Sequence, residues 1–209
     1  MKKQPLMHPR VFEDDKWAAS YAKRHAKMLK RIGKQYAKLL SKRGFKSGKI
    51  LDSGCGSGAI LMEMCRAFPK VEAIGVDLSE HLLEFARKCA VKEGFSNRIS
   101  FKKADVESLP FENNYFDVVI NTDMLHIVEN PVKMLNEIER VLAPKGVLIF
   151  GDIRRSWIGY IMPIFKTAYT LEEGLEVFRQ SNLRSWKSDK GFFWWGVLAS
   201  ETLEKEGEA

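Results

Sequence analysis

Apolar positions along the chain change their period three times. From residue 14 to 43 there is no proline, and Trp17, Tyr21, Met28, Leu29, Ile32, Tyr36, Leu39 and Leu40 recur at three- and four-residue spacing. That spacing predicts an amphipathic helix, with Asp14 or Asp15 as its cap, Gly33 as a candidate kink and Gly44 as its end. Its opposite face carries Lys23, Arg24, Lys27, Lys30, Arg31, Lys34 and Lys38. From Lys49 onward short apolar runs alternate with helical patterns. The runs Lys49–Ser53, Ala73–Asp77, Ile99–Ala104, Phe116–Asn121 and Val147–Asp152 read as strands, and Ser57–Phe68, Ser79–Glu93 and Pro131–Leu142 read as the helices between them. Strands separated by single helices imply right-handed βαβ units around a parallel sheet. The pattern then changes again. Ile153–Tyr169 is apolar and aromatic but interrupted at Gly159 and Pro163. Thr170 with Glu173 forms a capping box ahead of a helix at Leu171–Gln180. Arg184–Lys190 and Phe192–Ser200 close the pattern as a hairpin around Asp189–Gly191, so the expected fold is α/β, a Rossmann-like doubly wound sheet of seven mostly parallel strands with an antiparallel last strand.

The 209 residues, 45% hydrophobic and 29% charged, have ordinary globular composition, which excludes disorder over the whole chain. No apolar run approaches the roughly 18 to 20 residues that span a bilayer. No apolar stretch follows the basic start, so no secretory signal is expected and the expected location is cytoplasmic. Cys55, Cys65 and Cys89 are odd in number and lack C-x-x-C spacing, so reduced thiols are expected and no metal site is read. The net charge of +7 is unevenly placed: residues 1–49 hold 15 basic and 3 acidic side chains, the remainder 19 and 24. Attraction for an anionic partner therefore sits at one end. The basic helix is a solvated face, or a dock for RNA or an acidic membrane. Its aromatic residues lie mostly on the apolar stripe, where they are poorly placed to stack bases.

Chemistry concentrates at Ile50-Leu51-Asp52-Ser53-Gly54-Cys55-Gly56-Ser57-Gly58, a strand that runs into a glycine-rich turn and then a helix. Such turns let a ligand approach backbone closely, at the carboxyl edge of the sheet. Asp77 ends the second strand, where a carboxylate can accept both hydroxyls of a ribose. Asp105 follows the third, where it could accept a hydrogen bond from an adenine amine. No Lys or Arg stands in the glycine turn, so the three carboxylates describe a site for an adenosine with a cationic tail, not a phosphorylated one. Taken singly, each has a local explanation as a cap or turn residue. The case rests on the conjunction.

These stretches, with Ala73–Ser79, Lys103–Val106, Leu109-Pro110-Phe111, Phe116–Ile120, Leu125-His126 and Asn130-Pro131 through Arg140–Gly146, resemble the class I S-adenosylmethionine-dependent methyltransferases. The resemblance is to the branch of ubiquinone- and menaquinone-biosynthesis-like enzymes, and it covers roughly residues 10 to 200. It implies one domain: a helical cap at 1–46, a core binding S-adenosyl-L-methionine at 47–152, a lid or acceptor segment at 153–169, and a closing helix and hairpin at 170–200. It implies that Gly54 to Gly58, with Ser53, Gly54 and Gly56 named as contacts, hold the methionine part, with Asp52 near its amino group. Asp77 would bind the ribose and Leu78 the adenine face, while Asp105 and the Val106 backbone would bind the adenine amine. Asn121 would lie near the methionine end, and Trp17 and Tyr21 match a Trp-x-x-x-Tyr cofactor contact. The product would be S-adenosyl-L-homocysteine.

Three departures are visible. Lys145-Gly146 replaces a glycine pair, His126-Ile127 a histidine pair, and no Asn-Pro-Pro-Tyr pattern is present. His126 is the candidate catalytic base, against a reading as a packed junction histidine. In-line transfer from a sulfonium can proceed by positioning alone. Trp157, Tyr160, Met162, Phe165 and Tyr169 are a wall of the acceptor pocket or a helix packed on the sheet, with Arg154 and Arg155 available to an anionic acceptor group. The leading expectation is methyl transfer to a small, partly apolar molecule, with no nucleic acid favoured as partner and oligomeric state open. Methylation of RNA or protein docked on the basic helix, and a non-catalytic cofactor- or nucleotide-binding regulator, are the alternatives.

Overall fold

The computed structural model describes residues 14–200. Helix α1 (Asp15–Lys42) starts where Asp14 accepts the Trp17 N–H at 2.8 Å and stops at Arg43, with Gly44 beyond it in the left-handed conformation. Seven strands follow: β1 (Ser47–Ser53), β2 (Lys70–Asp77), β3 (Ile99–Lys103), β4 (Phe116–Thr122), β5 (Leu142–Ile153), β6 (Trp186–Lys190) and β7 (Trp194–Ala199). The helices between them are α2 (Ala59–Ala67), α3 (Glu80–Lys92), α4 (Pro131–Val141), the single turn α5 (Ile164–Thr167) and α6 (Leu171–Gln180). Strand order is β3-β2-β1-β4-β5-β7-β6, parallel through β5, with β7 antiparallel to both its neighbours. The chain therefore reverses direction across the sheet between β1 and β4, the place where doubly wound sheets open a crevice for ligands.

Alternation within the strands explains the two buried layers. Ile50, Val118, Ile120 and Ile149 face α1 and α2, where they meet Ala37, Leu40, Ile60 and Leu61. Leu51, Val119, Leu148 and Phe150 face α4 and α6, where they meet Met134, Ile138, Phe178 and Trp195. The two tryptophans at the start of β7 divide as period two demands: Trp195 is fully buried and Trp194 is 49% exposed.

The structure refines three expectations. Helix α1 is continuous through Gly33, the candidate kink. A Cβ there would stand 2.9 Å from the Glu63 Cβ and 3.2 Å from the Ile60 Cα, so the glycine lets α1 approach α2. The buried Glu63 lies in an ion-pair chain through Arg66 and Glu93 to Lys30, which ties the basic helix to the body. Second, β5 begins at Leu142, where the pattern placed the end of a helix; Phe116 of β4 pairs there before a bulge shifts the register. Third, the 153–169 segment forms no long helix: it is a 3-10 turn at Trp157–Tyr160 followed by α5.

Gly174 of α6 makes a tighter contact than Gly33. A Cβ at this position would lie 2.2 Å from the ring of Trp195. Because both Trp195 and its neighbour Phe178 are fully buried, the ring has nowhere to move. Gly174→Ala is expected to destabilise the protein by about 1–3 kcal/mol despite its better helix propensity. A lowered denaturant midpoint is the expected result, and an unchanged or raised one would refute the packing argument.

Candidate active site

A cavity opens at the carboxyl edge of the sheet. The turns after β1, β2, β3 and β4 line it, and α1 closes one side. The turn after β1 is shaped by glycine. Gly54 and Gly58 have φ of +91° and +69°, and a Cβ on either would collide with Met124 or Phe101. Asp77 holds this turn in place. Its Oδ2 accepts the Gly56 N–H at 2.9 Å and its Oδ1 accepts the Ser79 N–H at 2.9 Å. Burial raises its pKa, opposed by the backbone N–H groups of Ser79, Gly56 and Leu78. One side chain thus joins the glycine turn to the start of α3, and its carboxylate also faces the cavity. Asp105 accepts the Glu107 N–H at 2.9 Å and lines the same wall with Leu78 and Val106.

Asp52 differs from these. Its side chain is buried, and neither carboxylate oxygen has a hydrogen-bond partner. Burial, followed by repulsion from Asp77, pushes its pKa up to about 8. With Asp77, Asp105 and Asp123, four aspartates line this one cavity, and among the described residues no Lys, Arg or His does. Nor do three His, Cys, Asp or Glu side chains among the described residues group closely enough to hold a metal ion. The arrangement selects a ligand that brings its own positive charge on an organic frame. A methionine ammonium and sulfonium on an adenosine fit that description, and pyrophosphate does not.

Asp123 was not found by sequence reasoning. The rule that selected Asp52, Asp77 and Asp105, a carboxylate at the carboxyl end of a strand, applies to it equally. It has left-handed backbone at φ 57°, and its N–H donates to the Gly151 carbonyl at 2.8 Å. Burial and then Asp152 push its pKa up to about 7, against His126 and the Ile153 N–H, which lower it. His126 lies behind this wall. It is buried, its Nδ1 is 2.7 Å from Asp152 Oδ1, and its N–H donates to Asp152 Oδ2 at 3.3 Å. The candidate base therefore belongs to an Asp123–His126–Asp152 group, with His126 and Asp152 buried and the half-buried Asp123 on the cavity side.

Tyr21 lines the cavity, and its pKa is pushed up to about 12 by burial, then by Asp123 and Asp77. Trp17, one turn earlier, is 43% exposed. The same helix contributes Tyr36, whose hydroxyl lies 3.4 Å from Thr122 Oγ1 and against Gly151, where a Cβ would meet it at 2.6 Å. Ser53 and Asn121 are not on the wall. Strand alternation turns both toward α4, where Asn121 Nδ2 donates to the Ser53 carbonyl at 2.8 Å and meets Met134 Sδ at 3.6 Å. They brace β1 against β4. Cys55 is buried and its thiol is raised well above its usual range by burial, as suits a small turn residue, not a nucleophile. Arg155 pairs with Glu173, and Arg154 donates to the Phe192 carbonyl, so both serve the fold.

Residues 45–195 match a family model described as a methyltransferase domain. The chain belongs to the class I S-adenosylmethionine-dependent methyltransferases. A malonyl-[acyl-carrier protein] O-methyltransferase of Legionella pneumophila is 33% identical over 130 residues, 62% of this chain and 45% of that protein. A ubiquinone biosynthesis O-methyltransferase of Actinobacillus pleuropneumoniae is 34% identical over 131 residues, 59% of this chain and 53% of that one. The chain thus spans about half the length of these curated relatives. A solved structure from Methanococcus maripaludis, assigned as an S-adenosyl-L-methionine-dependent methyltransferase, superposes with a TM-score of 0.77 over 97% of this chain and 99% of that one. Its sequence identity of 19% makes this a likeness of fold. This methyltransferase has the expected sheet with its antiparallel last strand, and among its described residues no helix is long and apolar enough to cross a membrane.

Asp52 and Asp77 are tested by different measurements. With its folded pKa near 8 against an ordinary 3.8, Asp52 holds a proton in the ligand-free fold that the unfolded chain has released. Its contribution to stability is present below about pH 4 and is lost as pH rises toward 8. Asp52→Asn is expected to flatten that decline in melting temperature and to weaken cofactor binding. An unchanged slope would place the proton elsewhere. Asp77→Ala removes an acceptor of two backbone N–H groups and the expected ribose acceptor, and is expected to weaken S-adenosylmethionine binding by about 1.5–3 kcal/mol in calorimetry. Wild-type affinity would remove the ribose assignment.

Proposed function

We propose that this chain transfers a methyl group from S-adenosylmethionine to a small, partly apolar acceptor. The observation that carries the reading is the orphaned Asp52 carboxylate in a cavity lined by four aspartates and no described cation. In this reading Asp52 receives the ammonium of the methionine part, and the Gly54–Gly56 backbone lies along it. Asp77 accepts the ribose hydroxyls with the oxygen lone pairs that Gly56 and Ser79 leave open. Leu78 packs on the adenine, and Asp105 with the Val106 N–H reads its amine edge. Tyr21 covers the cofactor from α1.

The bound cofactor supplies an electrophilic methyl group next to a positive sulfur, a good leaving group for in-line displacement. The protein's part is to hold the acceptor on that line, to exclude water, and to remove the acceptor's proton where it carries one. Asp123 is placed to take that proton. It stands on the cavity wall beside Thr122 and Met124, and its pKa near 7 suits proton transfer at neutral pH. His126 and Asp152 stand behind it and set its charge. His126 is thus a positioning residue in this scheme. The apolar neighbours Met124, Ile127 and Val128 favour an acceptor that is itself partly apolar. The ubiquinone biosynthesis O-methyltransferase name of one relative points the same way.

Incubation with methyl-labelled S-adenosylmethionine and a cell extract tests the reading. Label in organic-extractable small molecules is expected. Label in precipitable material, lost on nuclease or protease treatment, would favour a macromolecular acceptor docked on α1, and binding without transfer would favour a regulator. In the same assay Asp123→Asn is expected to slow transfer by about 10²- to 10⁴-fold, with cofactor affinity retained. The wild-type rate should rise with pH through about 7, as the carboxyl loses its proton. An unchanged rate in the variant would assign positioning alone to this wall.

A further inference from the structure

The same edge of the sheet carries a surface that the cofactor site does not use. Register fixes its position. Ile153, at the carboxyl end of β5, pairs with Trp194 at the start of β7, and Lys190, at the end of β6, pairs with Trp195. The segment leaving β5 and the β6–β7 turn therefore lie side by side, at the edge where the cavity opens. Trp157, Tyr160, Ile161 and Met162 of that segment are 61%, 75%, 72% and 49% exposed. Phe192, Phe193 and Trp194 of the turn are 56%, 43% and 49% exposed. Ring contacts join the two sets: Trp157 meets Phe192 at 6.4 Å and Phe165 meets Phe193 at 5.8 Å between centroids. None of these residues lines the cofactor cavity. Continuous exposed apolar surface of this kind marks a place that something covers.

The charges around it indicate what covers it. Residues 153–170 and 186–195 hold five basic side chains and one acidic one, whereas residues 50–209 as a whole hold 19 basic against 24 acidic. Arg155 is neutralised by Glu173 and Arg154 is engaged by the Phe192 carbonyl, and Lys166 and Lys190 are further cations of this edge. Lys166 Nζ sits 5.7 Å from the centre of the exposed Tyr160 ring. Indole, phenol and long aliphatic side chains rimmed by lysines are the composition that settles at a headgroup boundary, with rings at the acyl edge and ammonium groups among the phosphates. A second copy of this patch would bring its lysines against lysines, with Asp189 as the one carboxylate among these residues to offset them.

We propose that this aromatic and basic edge docks the protein on an anionic lipid surface. Docking there places the mouth of the cofactor cavity toward the membrane, where an apolar acceptor would be concentrated. The surface stands on exposure and charge alone, so its test needs neither acceptor nor methyl transfer, and its failure would leave the methyltransferase reading untouched.

The test is flotation of the purified protein with vesicles of equal parts phosphatidylglycerol and phosphatidylcholine, and with vesicles of phosphatidylcholine alone. Co-flotation with the anionic vesicles, reduced by salt, and a blue shift of tryptophan emission are expected. The paired substitution Tyr160→Glu and Ile161→Glu changes exposed side chains, should leave the melting temperature unchanged, and is expected to abolish flotation. Lys166→Gln should weaken partitioning by about fivefold. No flotation at low salt would overturn the proposal. So would flotation that survives the paired substitution, because binding would then belong to the basic helix. Self-association in sedimentation that the same pair abolishes would also overturn it, by giving the patch to a second copy.

Discussion

A carboxylate without a partner governs this structure. Asp52 ends β1, a strand buried on both faces, and no described donor reaches either of its oxygens. An unpaired buried charge costs several kcal/mol, so the ligand-free fold keeps the group neutral by holding a proton. A lysine placed nearby would pair it permanently and close the site to a cationic ligand. The absence of described cations along the cavity is therefore part of the same device, because the charge that completes Asp52 must arrive from outside. In the proposed reading, cofactor binding exchanges that proton for an ammonium, which ties affinity to pH through Asp52.

The remaining features of the cofactor side follow from keeping Asp52 unpaired without letting the turn collapse. A glycine-rich turn is soft, and its free N–H groups would seek the nearest carboxylate. Asp77 supplies that acceptor to Gly56, so the turn is satisfied by the neighbouring strand and not by Asp52. Asn121 does the same from below, holding the Ser53 carbonyl and thereby the spacing of β1 from β4. Ser53 and Asn121, expected as ligand contacts, lie off the cavity wall and hold each other instead. The strand pleat decides this: side chains one position apart face opposite layers.

Much of this was legible in the sequence. Ile50 to Gly58, Asp77 and Asp105 announce themselves through local pattern, and alternating short strands and helices give the sheet. The reason is physical. Central strands buried on both faces need continuous apolar runs, and a turn that admits a ligand needs glycine. What was not legible depends on tertiary approach. Gly33 reads as a candidate kink, yet its close approach to Glu63, thirty residues away, is set by tertiary packing. The His126–Asp152 pair joins two segments 26 residues apart, and Asp152 alone looks like any polar strand end. Tyr36 reads as one more apolar-stripe aromatic until Thr122 and Gly151 are seen against its hydroxyl. Asp123 is the exception, since its position after β4 was visible and the rule already applied to three strands had simply to be carried to the fourth.

That division follows the two halves of the chemistry. The cofactor half handles one unchanging ligand, so its contacts compress into contiguous motifs at strand ends. The acceptor half is assembled from α1, the turn after β4 and the end of β5, three segments whose relation exists only in the folded chain. Its polar members, Asp123, His126 and Asp152, form a graded set: one carboxyl on the cavity wall, one imidazole behind it, and one buried carboxylate fixing the imidazole. Asp152 raises the proton affinity of Asp123 and His126 lowers it, so both buried groups act on the carboxyl that faces the cavity. The exposed aromatic edge lies beside this acceptor half, not beside the cofactor turn. Both are carried by β5, whose end holds Asp152 and then Ile153 paired to Trp194. In the proposed scheme, a strand that holds Asp152 on its inner side and carries the apolar rim beyond its end would couple where an acceptor enters to where it loses its proton.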